Sequence, residues 1–200
     1  MVTRRLALWL ALLCGATACA TSRGQSCRDA GDPGEVARLA VTTDSTLLAL
    51  RTAPDSQATW LRQYLQAVVD RTASLEECGR IADAGDLRTA ARIALASAQL
   101  GLPTVERAYR WARRAVVADT ADRRSWRMMA TAWDQLQVAR KQPQWFATVI
   151  ECGSATDGRC TLAPVDTSRV SDPQRVELGL RTLVQQRMIT DSLNRARGRP

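Results

Sequence analysis

Between Asp32 and Pro143, apolar side chains return every three or four residues in successive segments, most opened by a capping side chain and closed by glycine or proline. That spacing gathers the apolar positions of each segment on one helical face, and such a face is stable only when another element covers it. The stretch is thereby confined to antiparallel helices stacked through short loops. Asp32, Pro33 and Glu35 form a start signal for the first helix, with Val36, Leu39, Ala40, Leu47, Leu48 and Leu50 on its apolar face and a break allowed at "TTDS", residues 42–45. Asp55 or Ser56 caps a second helix, in which Trp60, Leu61, Tyr64, Leu65, Val68 and Val69 are expected to be buried. "LEECGRIADAG" reads as a short helix ended by Gly85, after which Asp86 opens a segment reaching Leu100 and "GLP". Thr104 opens the next, to about Ala118, and Asp122 begins one that reaches Lys141 before Pro143.

Trp126, Met129, Ala130 and Trp133 follow the W-x-x-L-G-x-x-Y order of tetratricopeptide repeats. Ala108 and Ala115 fall at the small positions of the preceding unit's second helix, and Leu95 and Ala96 lie one 34-residue period upstream of Met129 and Ala130. Residues 89–133 thus resemble that family, which implies stacked helical hairpins leaving an exposed concave surface suited to binding another protein.

Beyond Pro143 the pattern changes. "WFATVIEC" is rich in β-branched residues, "TDGR" holds an Asp-Gly turn, and "CTLAPV" is a second extended run. These predict a β-hairpin, with Phe146, Thr148, Ile150 and Cys152 on one face beside Cys160 and Leu162. Gln144-Trp145-Phe146-Ala147-Thr148, Pro164-Val165-Asp166 and Leu178-Gly179-Leu180 resemble an uncharacterised bacterial domain family patterned Q-x-[YF]-G-T-Q, P-V-D-D and L-G-L, here with Ala147, Val149 and Thr167 in place of its Gly, second Gln and second Asp. The resemblance implies a shared fold and brings no established activity. Asp172 and Pro173 open a last helix over 173–195, with Val176, Leu180, Leu183, Val184 and Met188 on its apolar side.

The start of the chain reads as an export signal: Arg4 and Arg5, an apolar run from Leu6 to Leu13, and the small residues Ala16 to Ala18. The run is far short of the roughly 20 residues that span a bilayer. "ATAC", ending at Cys19, resembles the lipobox of bacterial lipoproteins, which implies cleavage before Cys19 and acylation of its thiol; simple secretion after Ala18-Cys19-Ala20 is the alternative. Either route removes residues 1–18 and leaves Cys27, Cys78, Cys152 and Cys160 for an oxidising compartment. Cys152 faces Cys160 across the hairpin, and Cys27 is then left to pair with Cys78.

The chain of 200 residues has no histidine, which removes imidazole bases, Ser-His-Asp and Cys-His arrangements and histidine metal sites. Its only lysine, Lys141, lies in no glycine-rich phosphate loop, and the cysteines form no C-x-x-C pair, so no cofactor or metal is expected. Glu76 with Glu77 and Asp119 with Asp122 read as exposed or capping carboxylates rather than an acid–base pair. The formal charge of +8 comes from arginine without a nucleic-acid reading motif, so no nucleic-acid partner is expected. Arg107, Arg110 and Arg114, three and four apart, form one stripe able to hold a phosphate or carboxylate.

The expectation is a mainly α protein: signal peptide 1–18, tether 19–31, TPR-like antiparallel helical hairpins 32–142, a small β-hairpin 143–170, and a final helix and tail 171–200. Its expected role is a protein-binding or scaffold module, lipid-anchored in the bacterial cell envelope and facing the periplasm or exterior, with another envelope protein as partner and the oligomeric state open. The alternative is a small-ligand or hydrolytic domain using Asp166 or an arginine.

Overall fold

The computed structural model describes Cys27, residues 34–153 and residues 158–198. The export signal, Cys19, the tether and the Asp32-Pro33 start signal lie outside the described residues. No described helix is long and apolar enough to cross a membrane.

The first helix, α1 (Glu35–Leu50), begins after Gly34 and continues through "TTDS" without a break. Thr43, Ser45 and Thr46 each donate a hydroxyl to the carbonyl four residues earlier, at 2.8, 3.0 and 2.8 Å, so their polar groups are satisfied within the helix. Thr43 and Thr46 can then sit on its buried face with Val36 and Ala40, while Leu48 is exposed.

The second helix, α2 (Asp55–Glu77), absorbs the start of "LEECGRIADAG". It ends at Gly79, whose φ of +69° lets the Arg80 amide donate to the Leu75 carbonyl at 2.9 Å. The expected short helix ending at Gly85 is therefore replaced. Asp83, rather than Asp86, caps α3 (Ala84–Ala96), accepting the Asp86 amide at 2.8 Å, and Gly85 lies in its first turn. The buried row of α2 is Ala58, Leu61, Leu65, Val68, Val69, Thr72 and Leu75; Trp60 and Tyr64 fall outside that arc and are exposed. Neither Asp55 nor Ser56 caps the helix, whose N-cap residue is Pro54.

A 3₁₀ turn (Ala98–Leu100) leads to Gly101 and α4 (Leu102–Ala118); the helix opens at Gly101, and Thr104 is buried in its first turn. Asp122 caps α5 (Arg123–Ala139) as expected, accepting the amides of Arg124 and Ser125. The helix α3 is central, packing on α1, α4 and α5. Ala90, Ala91, Ala94, Ala108, Ala112 and Ala115 are fully buried and let these backbones approach closely, while Trp111 fills the space between them.

The hairpin comprises β1 (Ile150–Cys152) and β2 (Cys160–Leu162), antiparallel, with Ile150 opposite Leu162 and Cys152 opposite Cys160. Both expected disulfides are present, Cys152–Cys160 across the strands and Cys27–Cys78. Cys78 caps the end of α2, so the second bridge reaches that helix and not a third one. The expected single C-terminal helix is two, α6 (Asp172–Glu177) and α7 (Leu183–Ala196), divided at Gly179 with φ +72°. Each has its own capping box, Ser171 with Gln174 and Thr182 with Gln185. Val176, Val184 and Met188 are exposed, and α7 instead buries Gln186, Thr190 and Asn194.

Candidate functional site

The arginine stripe on α4 is divided by its neighbours. Arg107 donates to Asp70 at 3.3 Å and lies over the Trp111 ring, and Arg114 pairs with Glu76. Both carboxylates belong to α2, so these two arginines join α4 to α2, and of the three Arg110 is left exposed without an ion pair among the described residues. Arg110 and Arg114, together with Arg113, rim a hollow of about 490 Å³ above Leu87 and Val117. Two of the three guanidinium groups of the stripe are thus engaged by carboxylates of α2.

A larger groove, about 660 Å³, runs between α3 and α5 and contains four guanidinium groups, from Arg88, Arg92, Arg124 and Arg127, beside Leu95 and Met128. Arg88 is held by Asp122, and Arg92 donates to both oxygens of Asp44 at 2.9 and 2.8 Å. The Arg124 amide, and after it the Ser125 hydroxyl and the Arg88 guanidinium, hold the Asp122 carboxyl below its usual range despite partial desolvation. Asp122 is thereby an ionised cap that also fixes one wall of the groove. Arg124 and Arg127 are exposed and have no carboxylate partner among the described residues. The stem of Arg127 lies under Gly179, where a Cβ would come 3.4 Å from its Cδ. The loop between α6 and α7 thus packs against the stem of Arg127.

Asp134, on α5, is the polar side chain that sequence reasoning missed. It is 0% exposed and accepts the amides of Trp145 at 2.8 Å, Phe146 at 3.0 Å and Thr148 at 2.9 Å, with the Thr148 hydroxyl at 2.8 Å. Burial raises its carboxyl above the ordinary value, opposed by those amides. The one available signal was that Asp134 falls four residues after Ala130, on the apolar stripe of its helix. Ala147, where the resembled pattern has Gly, has φ +59°, the conformation that lets the loop close around the carboxylate.

The other motif residues are also framework. Gln144 donates its side-chain amide to the carbonyls of Val149 and Ala163 and accepts the Val149 amide, while its backbone bridges Val165. Asp172 accepts from Arg175 and from the Leu183 amide, tying α6 to α7, and the buried Arg175 donates to the Trp145 carbonyl at 3.0 Å. Asp166 is engaged by the Ser168 hydroxyl and amide and by Arg169, which hold its carboxyl low. Among the described residues, no three Asp, Glu, Cys or His side chains gather as a metal site. The chain has no match among protein-family models, curated proteins or solved structures.

Proposed function

We propose that the chain is an exported, lipid-anchored binding module of the bacterial cell envelope, a tetratricopeptide-like scaffold whose α3–α5 groove recruits another envelope protein. The observation that carries this reading is the pair of exposed guanidinium groups, Arg124 and Arg127, without carboxylate partners among the described residues, on the rim of a groove whose other arginines are fixed by Asp122 and Asp44. Fixed walls with an apolar floor and two unmatched cations favour a partner segment bearing carboxylates, since such charges steer encounter and set register. Two disulfides fit an oxidising compartment and so support export.

A pull-down from envelope extract tests the groove. Arg124→Glu with Arg127→Glu should lose the principal partner, while Arg107→Glu with Arg110→Glu on α4 should retain it. An unchanged partner set in the first variant removes the assignment. For the anchor, Cys19→Ser should move the protein from the membrane to the soluble fraction on cell fractionation; continued membrane association overturns acylation.

A further inference from the structure

Where α1 meets α2, the two large rings that leave the core face solvent together. Trp60 and Tyr64 are 61% and 42% exposed, their ring planes lie within 8° of parallel, and their centroids are 5.6 Å apart. They are not a reserve of core side chains, because Leu61, Leu65 and Val68 already fill the buried side of α2. Beside Trp60 lies a hollow of about 390 Å³, bounded by Ala49, Thr52, Pro54, Ser56 and Gln57. That size is within the roughly 300–1,000 Å³ typical of small-ligand sites.

The lining decides the class of ligand. Among the described residues no charged side chain borders the hollow, which disfavours an ionic headgroup or a salt-bridged peptide. The Ser56 hydroxyl, the Gln57 side-chain carboxamide, the Trp60 indole N–H and the Tyr64 hydroxyl have no hydrogen-bond partner among the described residues. A flat aromatic face with a negative quadrupole, edged by neutral donors and acceptors, complements a molecule with a C–H face and a rim of hydroxyls. A pyranose ring with equatorial hydroxyls has that form.

We propose that Trp60 and Tyr64, with Ser56 and Gln57, form a saccharide site that takes the axial C–H face of a β-linked, gluco-configured sugar. The ring lies on the indole, and its equatorial hydroxyls reach the hydroxyl and amide at the helix start. This site is separate from the arginine groove and does not depend on it.

The test titrates chitotetraose and cellotetraose into the ¹⁵N-labelled full chain and follows the six tryptophan indole N–H signals, with Trp60 assigned from Trp60→Phe. At least one saccharide should shift the Trp60 signal with a Kd on the order of 1 mM. Trp60→Ala and Tyr64→Ala should each weaken binding by about tenfold or more, measured by calorimetry, while Arg124→Glu leaves it unchanged. Both alanine changes are at exposed positions, and circular dichroism checks the fold. The proposal is overturned if neither sugar shifts Trp60 at about 10 mM, or if both alanine variants bind as the wild type does. Trp60-dependent sedimentation with phosphatidylglycerol vesicles, without saccharide binding, also overturns it and reassigns the rings to a lipid surface.

Discussion

At the scale of a residue, Asp134 organises the junction between the helical region and the β-hairpin. A single carboxylate supplies the acceptors for three amides and one hydroxyl of residues 145–148. Asp134→Ala leaves those donors buried without a partner and should cost about 3 kcal/mol in urea unfolding. Because burial raises its pKa above 3.8, the folded protein holds this proton at pH values where the unfolded chain has released it. The stability gap between wild type and Asp134→Ala should therefore narrow as pH rises above 3.8, and a widening gap would contradict the raised pKa. Asp122 and Asp172 act in the opposite sense, since amide hydrogen bonds lower their pKa; their contribution is complete above 3.8 and fades as pH falls below it. Asp122 was legible because a cap has a local signature three residues long. Asp134 was not, because its partners lie 11 to 14 residues away in a loop whose path the sequence pattern leaves open.

At the scale of an element, the ends of helices share one device. Helices α2, α5 and α6 close with a left-handed residue, Gly79, Lys141 and Gly179, each succeeded by an amide that reaches back to a carbonyl five residues earlier. Lys141 is the odd member, an L side chain held at φ +59°. Lys141→Gly should raise stability by about 0.5–1 kcal/mol, whereas Gly179→Ala should lower it by about 1–2 kcal/mol, both read from denaturant midpoints. Helix number and order up to Pro143 were largely visible, because periodicity and caps are local. The boundary expected at Gly85 is displaced because Gly79 satisfies the closing hydrogen bonds of α2, and Gly85 stands just after a better cap in Asp83. The division of the last helix was also written in the sequence, as two S/T-x-x-Q boxes at Ser171 and Thr182. Burial was harder to read. Trp60 and Tyr64 obey helical spacing but flank the contact arc of α2, and which flank meets a neighbour depends on packing angles.

For the whole molecule, the two disulfides differ in reach. Cys27–Cys78 spans 51 positions of chain and Cys152–Cys160 spans 8. Chain entropy assigns them about 4 and about 2.5 kcal/mol, so Cys27→Ser with Cys78→Ser should destabilise the protein more than Cys152→Ser with Cys160→Ser in equilibrium unfolding. Equal losses would mean that the unfolded chain keeps its N-terminal part near α2. The arginine groove was beyond sequence reasoning, because Arg88 and Arg124 are 36 positions apart and meet only through the packing of α3 on α5.

One small contact has consequences for behaviour in a crowded solution. The Asn194 side chain donates to the Cys160 carbonyl and accepts its amide, at 3.0 and 2.7 Å. A helix thus presents to the ribbon the pair of groups that a neighbouring β-strand would bring. A foreign polypeptide trying to extend the sheet at that point must first displace this carboxamide, which makes the β2 rim a poor seed for aggregation.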